Sequence, residues 1–300
     1  MKIKESPSRI VFRIVNVIIM VVLAFVCLAP LLHVFFASIS DPILLTQYKG
    51  GIILWPLYDA THHLTSKGYS FVLNNASLIR GYANTFYYVA AGAILSVLLC
   101  SIGGYCVSRR NTLWMRYLTL MMTFTMFFGG GMIPTYMVNK TLGIVNTRWV
   151  IVLMGLVSVF NIIIVRTAFQ AIPASLEESA QLDGAGHMTI LFRITFPLAK
   201  ATIAVITLFY AVGKWNDYLT AAIYLTDRKL YPLQLILREI MVQDSGQNVF
   251  DVGESANNYS QYKKLLQYST VIFATLPILC VYPFVQKYFV KGVMIGSIKG

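Results

Sequence analysis

The chain has 300 residues, of which 57% are hydrophobic and only 12% are charged, and its mean hydropathy is +0.67. Soluble domains carry about 25% charged residues, so this composition excludes a water-soluble fold and indicates an integral membrane protein. The net charge of +12 would suggest nucleic-acid binding in a soluble protein. Because the basic residues form no patch with interleaved aromatics, we attribute the charge to cytoplasmic segments of a membrane protein and predict no nucleic-acid partner.

Six stretches are long and apolar enough to cross a bilayer, which takes about 20 residues of helix. They cover residues 14–38, 82–107, 117–138, 149–165, 195–222 and 268–287. The first stretch is too long for the apolar part of a signal peptide, so we predict that it is a retained helix. The sequence therefore predicts an all-α integral membrane protein with six transmembrane helices.

The distribution of lysine and arginine predicts the orientation, because cytoplasmic loops carry more of them. With the N-terminus inside, the inside segments hold twelve such residues in 70 positions and the outside segments hold ten in 98. We therefore predict that both termini are cytoplasmic. The predicted organisation is a cytoplasmic segment 1–13, a transmembrane domain 14–290 with an inside loop 166–200, and a cytoplasmic tail 291–300.

Two predicted outside loops are long, residues 39–81 and 223–267. Apolar residues recur at helical spacing in the second loop, at Leu233, Ile236, Leu237, Ile240 and Met241. This spacing predicts an amphipathic helix, which is too short to span and lies at the membrane interface or packs on the bundle. The polar stretch 243–261 predicts an external loop.

The inside loop contains a short predicted helix followed by a turn. Ser175 and Glu178 have the spacing of a capping box, with Pro173 just ahead of them. Asp183 and Gly184 end this helix, because glycine adopts the left-handed conformation that a helix C-terminus favours.

A second predicted helix follows the turn and runs to about Thr195, before Pro197. From the pattern alone, the whole 172–198 segment is either an ordinary amphipathic connector or a rigid feature that another protein binds.

The same segment carries a recognisable motif. Glu178-Ser179-Ala180 is followed after three residues by Gly184, and after nine more by Ile194-Thr195-Phe196-Pro197. This pattern resembles the EAA motif of permease subunits of ATP-binding-cassette importers, with Ser179 and Phe196 in place of the usual alanine and leucine.

The resemblance extends over nearly the whole chain. Segments similar to maltose-type carbohydrate permeases are 104–110, 127–136, 142–147, 215–218 and 292–300. The glycines 129–131 and the run 231–235 are most similar to the subgroup that imports oligosaccharides and polysaccharide fragments.

The resemblance implies a type I importer permease whose short cytoplasmic helix couples transport to an ATPase. The coupling residues carried over are Glu178, Ser179, Ala180, Asp183, Gly184, Ala185, Ile194 and Pro197. Glu178 would face the basic rim of a groove in the ATPase, and Gly184 would keep the turn thin enough to enter it. The implied partners are a second permease in a heterodimer, two ATPase subunits and a solute-binding protein, at the cytoplasmic membrane of a bacterium.

The chain has no phosphate-binding loop of the Gly-x4-Gly-Lys-Ser/Thr type. We therefore predict that it is not an enzyme and binds no cofactor, and that Mg-ATP binds to the partner ATPase subunits. Its four cysteines and four histidines have no metal-ligand spacing, so no metal site is predicted.

A carbohydrate path needs aromatic faces for pyranose rings and polar groups for hydroxyls. The candidates are Asn84, Tyr88, Tyr136, Trp215, Asn216, Asp217 and Tyr218. Two other interpretations remain open: Lys214 and Asp217 could form an ion pair within one helix, and tyrosines near span ends could anchor the helices at the membrane interface.

Three further functions are weighed against the importer subunit. A stand-alone secondary carrier would need no exposed cytoplasmic helix. A membrane-embedded enzyme would show clustered Asp, His or Ser motifs within the spans, and none appears in the sequence. An importer permease for a substrate other than a sugar remains a third alternative.

Overall fold

The computed structural model describes residues 6–109, 114–242 and 256–297, and every regular element in these ranges is a helix. The all-α fold class is therefore confirmed. The chain forms two compact units, one from Met1–Ala76 with Glu239–Pro277 and the other from Ser77–Arg238 with Ile278–Gly300.

The first unit is built on one long apolar helix. Its elements are α1 (Pro7–Ser38), α2 (Pro42–Gln47), α3 (Lys67–Leu73) and the first part of α15 (Ala256–Ser297). Only 6% of the most apolar window of α1 is buried inside the protein, which is what a lipid-facing span requires. The end of α1 is held by a hydrogen bond of 2.6 Å between the Ser38 and Tyr69 hydroxyls.

The second unit holds most of the helices. They are α4 (Ala76–Ser108), α5 (Met115–Phe127), α6 (Met132–Thr141), α7 (Arg148–Leu153), α8 (Val159–Gln170), α9 (Ala174–Leu182), α10 (His187–Ile190), a π-helical turn (Leu191–Thr195), α11 (Phe196–Leu198), α12 (Lys200–Asn216), α13 (Leu219–Tyr224), a 3-10 turn (Arg228–Leu230) and α14 (Leu233–Val242).

Helix α4 packs against α8 and α12 in this unit. Near its end it packs tightly on α8, because a Cβ on Gly104 would lie 2.6 Å from Cγ1 of Val165. The Tyr210 hydroxyl of α12 joins both helices, at 2.8 Å from Sγ of Cys100 and 3.0 Å from the backbone N–H of Ser158, which donates to it. These contacts fix the relative positions of α4, α8 and α12.

Three helices of the described chain are long and apolar enough to cross a membrane by themselves: Pro7–Ser38, Ala76–Ser108 and Tyr262–Pro283. Three bent pairs also pass when each pair is taken together, which gives up to six spans. The first, second and sixth predicted spans therefore correspond to continuous helices, whereas the other three do not.

The predicted third span, 117–138, is broken between α5 and α6, which are bent by 109°. Gly131, with φ of +84°, takes the left-handed conformation at this break. The predicted fourth span, 149–165, was wrong as one helix, because Gly155 with φ of +70° lies between α7 and α8. The predicted fifth span, 195–222, ends early, since α12 stops at Asn216.

The predicted amphipathic helix is present as α14, and it packs on the protein. Leu233 and Ile236 are buried, and the backbone N–H of Leu233 donates to Oγ1 of Thr85 on α4 at 2.9 Å. The predicted external loop 243–261 lies outside the described residues up to residue 255, and its last six residues are helical, as the start of α15.

Candidate functional site

Helix α9 contains the first part of the motif, Glu178-Ser179-Ala180. The predicted capping box was wrong: Pro173 is the N-cap residue, and Ser175 lies inside the first turn. Pro173 has φ of −58° and ψ of 130°, so its fixed ring geometry supplies the extended residue that precedes a helix. Its carbonyl accepts the first hydrogen bond, from the N–H of Leu176 at 3.2 Å.

The end of α9 follows the prediction. Gly184 has φ of +82°, and its N–H donates to the Gln181 carbonyl at 3.0 Å. The N–H of Ala185 donates to the Ala180 carbonyl at 2.9 Å. These two bonds form a Schellman motif, so the glycine is required by the backbone conformation.

Two adjacent glutamates of α9 have different environments, because successive side chains on a helix point about 100° apart. Glu178 is exposed, whereas Glu177 is 9% exposed and forms an ion pair with Arg109. The Arg109 Nη2 donates to Oε1 of Glu177 at 2.6 Å. The ion pair therefore joins α9 to the end of α4, which are distant in sequence.

Arg109 is itself held in place. Its guanidinium lies 4.1 Å from the centre of the Tyr105 ring, and its Nε donates to the Tyr105 carbonyl at 3.4 Å. Burial lowers the pKa of the Arg109 guanidinium, and the Glu177 carboxylate offsets this cost of burying the charge. The sequence motif does not include Glu177. The one sequence signal for it is that two adjacent glutamates on a helix point in different directions, so that only one of them can face the same partner.

The other predicted coupling residues divide by exposure. Ser179, Asp183 and Pro197 are exposed, whereas Ala180, Ala185 and Ile194 are half-buried. Both alanines pack against the core cluster of α4, α8 and α12. The tip of α9 also carries Leu182, which is 90% exposed. Leu182 is therefore accessible to a partner, and the sequence motif did not single it out.

The chain stays helical beyond the predicted end at Thr195, in a π-helical turn and then α11. Helices α10 to α11 and α12 are bent by 88° relative to each other, at Ala199. Pro197 is the second residue of α11 and follows directly on the end of the π-helical turn.

Two of the predicted path residues form hydrogen bonds with backbone carbonyls. Asn84 and Tyr88 on α4 are buried, and Nδ2 of Asn84 donates to the carbonyls of Lys229 and Tyr231 at 2.8 and 3.1 Å. The Tyr88 hydroxyl donates to the Leu230 carbonyl at 2.8 Å. Both side chains therefore hold the 3-10 turn against α4; their contact with a sugar stays a prediction.

The remaining path residues do not form one cluster around a cavity among the described residues. Tyr136 stacks on Tyr224 with ring centres 5.5 Å apart. Trp215 is 6% exposed and makes edge contacts with the rings of Tyr82 and Phe86.

The other three path residues follow Trp215 and make local contacts. Asn216 donates to the Val212 carbonyl, and Asp217 accepts from the Thr220 N–H. Tyr218 is 41% exposed and lies under the Arg238 guanidinium. The burial of Trp215 favours packing, while Asn216 and Tyr218 remain accessible.

The suggested ion pair between Lys214 and Asp217 is not formed. Lys214 is 8% exposed, and its Nζ donates to the carbonyls of Ile151 and Met154 at 2.6 and 2.5 Å and of Val152 at 3.4 Å. These carbonyls are at the end of α7, where the helix is broken and backbone acceptors lack intrahelical partners. The ammonium therefore satisfies the backbone acceptors left free at this break within the bundle.

Comparison with known proteins identifies the family of this chain. The family model described as binding-protein-dependent transport system inner membrane component matches residues 104–295. The chain belongs to this family. The match covers α9 and its surroundings, and it confirms the family that the EAA motif indicated.

Curated relatives and a solved structure agree with the family. The polygalacturonan/rhamnogalacturonan transport system permease protein YtcP of Bacillus subtilis is 37% identical over 92% of this chain and 94% of its own length. Protein LplC of the same organism is 32% identical over 97% of this chain and 95% of its own length. A solved bacterial ABC transporter involved in the import of the acidic polysaccharide alginate has a chain that is 30% identical, with a TM-score of 0.84 over 96% of this chain and all of that chain.

Proposed function

We propose that this chain is the permease subunit of an ATP-driven importer for a carbohydrate, and that it forms the path through the bacterial cytoplasmic membrane with a second permease. A solute-binding protein delivers the sugar from outside, and two ATPase subunits bind Mg-ATP on the inside. The family match supports the importer, and the similarity to polysaccharide transporters supports a carbohydrate substrate.

The proposed arrangement has six spans with both termini inside. The three continuous helices supply three of the six spans, and the predicted third, fourth and fifth stretches, which contain the breaks described above, supply the other three. In this orientation the tip of α9 faces the cytoplasm, where the ATPases are. The chain itself performs no ATP hydrolysis, because its sequence has no phosphate-binding loop.

The observation that carries the proposal is the different placement of Glu177 and Glu178. Glu177 anchors α9 to α4 through Arg109, which leaves Glu178 and Leu182 exposed for a partner. When ATP brings the two ATPases together, the movement of α9 passes through the ion pair to α4. Helix α4 in turn holds the 229–231 turn through Asn84 and Tyr88, so the shift reaches the far end of the span. Such a transition is a switch between two packings of rigid elements.

The variant that tests the coupling role is Gly184→Gln. No atom lies within 4 Å of a Cβ at Gly184, so the permease has room for a side chain. The left-handed conformation then costs roughly 1–2 kcal/mol, too little to unfold the bundle. We expect normal insertion, loss of sugar uptake and weakened co-purification of the ATPase.

The matched control is Gly186→Gln, two residues further on. Gly186 has φ of −71° and also open space around it, so a side chain there carries no conformational cost. Full uptake and full ATPase retention by Gly184→Gln would show that the segment is only a connector.

A further inference from the structure

A cavity lies beside the coupling site, between the end of α4, the first turns of α5 and the end of α8. It has a volume of about 840 Å³. Among the described residues, its charged lining residues are three arginines, Arg109, Arg116 and Arg166, and no carboxylate lines it. The cavity is therefore strongly basic and is shaped by helices of one compact unit.

Within the described part of the chain, one of the three arginines has an anionic partner and the other two have none. Arg109 is paired with Glu177, whereas no ion pair to Arg116 or Arg166 occurs among the described residues. The Nε of Arg166 is buried and has no hydrogen-bond partner in the described part of the chain. A buried guanidinium donor without an acceptor is unfavourable, so the cavity has the chemistry to receive an anion.

The other residues around the cavity indicate which kind of anion fits. Thr119, Thr123 and Tyr117 add polar side chains, and Leu120 adds an apolar one. The outer face of α5 is apolar and exposed, with Met121 71% exposed, as a lipid-facing surface is. The aromatic rings of Trp114 and Tyr117, 6.0 Å apart, lie at the start of α5, where such rings mark a membrane interface.

We propose that this cavity binds the phosphate headgroup of an anionic phospholipid of the cytoplasmic leaflet, with Arg116 and Arg166 as the phosphate ligands. The inference rests on the proposed orientation, which places the end of α4 on the cytoplasmic side. Arginine forms charge-assisted, geometrically defined hydrogen bonds with phosphate oxygens, and basic pockets between spans on this side are known headgroup sites. The acyl chains would lie along the exposed face of α5.

A bound lipid at this place would also affect coupling. The cavity shares Arg109 with the ion pair that holds α9. An anionic headgroup would bring a second negative group near the same arginine and would stabilise the buried cation. Because this group would also repel the Glu177 carboxylate, lipid binding and the position of α9 would be linked.

The test uses the whole transporter in nanodiscs of phosphatidylcholine with or without phosphatidylglycerol. Native mass spectrometry counts retained phosphatidylglycerol in the unchanged protein, in Arg116→Gln, in Arg166→Gln and in Lys200→Gln. Lys200 is exposed and does not line the cavity, so it controls for loss of charge alone. We expect a loss of about fivefold for each of the two arginine variants, which corresponds to about 1 kcal/mol per arginine, and no change for Lys200→Gln.

Two further arms separate the possible sources of phosphate and protect against misfolding. Inorganic phosphate at millimolar concentration should not displace the lipid, and displacement would overturn the lipid assignment in favour of a free anion. Arg166→Lys keeps the charge and should retain most of the lipid, whereas equal loss in Arg166→Lys and Arg166→Gln would point to a packing defect. Equal lipid retention by all variants would also overturn the proposal.

Failure of this inference is distinguishable from failure of the proposed function. Cysteines placed at Leu182 and Leu142, 90% and 65% exposed, in a background without native cysteines, report the orientation directly. A membrane-impermeant reagent added to intact cells should label the Leu142 position and not the Leu182 position. Reversed labelling would contradict the proposed orientation. The expected labelling without lipid retention would contradict only the proposed lipid site.

Discussion

The two ends of α4 are held by different chemistry. Toward its start, Asn84 and Tyr88 donate to backbone carbonyls of the 229–231 turn, and nearby Lys214 donates to backbone carbonyls of α7. At its end, Arg109 pairs with a side chain, Glu177, on α9. The first set of contacts joins side chains to the backbone of neighbouring elements. The second is an ion pair between two side chains, and the proposed function requires it to hold α4 and α9 together while both helices move. Under the proposed function, the first region stays rigid and the second region transmits movement between α9 and α4.

Removing the Lys214 ammonium should have the largest effect on the first region. Lys214→Met leaves up to three carbonyls at the broken end of α7 without a donor. An unsatisfied buried polar group costs about 1–3 kcal/mol, so we expect a loss of about 3 kcal/mol or more in the free energy of unfolding. Thermal unfolding of the purified transporter measures this, with Lys200→Met, an exposed lysine at the start of α12, as the control.

Stability of Lys214→Met equal to that of the control would mean that the α7 carbonyls find other partners. The break between α7 and α8 would then need another explanation, and the rigid character assigned to this region would be lost.

The ion pair of the second region should show strong coupling between its two residues. Arg109→Gln and Glu177→Gln each leave one charge without its partner, and hydrogen bonds to charged groups contribute about 1.5–3 kcal/mol. In a double-mutant cycle, the double variant should therefore lose less stability than the sum of the two single variants. Additive losses would show that Arg109 and Glu177 act independently.

The smallest expected effect comes from a single neutral hydrogen bond. Tyr88→Phe removes the donor to the Leu230 carbonyl and keeps the ring, so it should cost about 1 kcal/mol. Tyr87→Phe, on the more exposed neighbouring ring, is the control. A loss of uptake without loss of stability in Tyr88→Phe would instead place Tyr88 on the sugar path, as the sequence suggested.

The sequence predicted what is decided locally. The spacing of apolar residues predicted α14, and Asp183-Gly184 predicted the end of α9, because a glycine at that position needs only its own backbone freedom. The same local signals located the helix and turn of the 172–198 segment and the three continuous spans.

What the sequence did not predict depends on contacts between distant residues. Glu177 and Arg109 are 68 positions apart, and Lys214 and Ile151 are 63 apart. The apolar sequence continues through the break between α7 and α8. The free carbonyls at the break are satisfied by Lys214 from another helix, and a contact so distant in sequence cannot be predicted from the residues around the break. The path residues were predicted from their residue types. Several of them are buried and pack within the protein, and residue type alone does not predict burial.

The most direct test of the account compares two adjacent glutamates under one substitution. Glu177→Gln should lower the unfolding temperature of the permease, because it breaks the pair with Arg109. Glu178→Gln should leave that temperature unchanged, since the side chain is exposed, but should weaken co-purification of the ATPase about tenfold or more, as loss of a buried interfacial charge does. Full ATPase retention by Glu178→Gln, or the same change in unfolding temperature for both variants, would contradict the account.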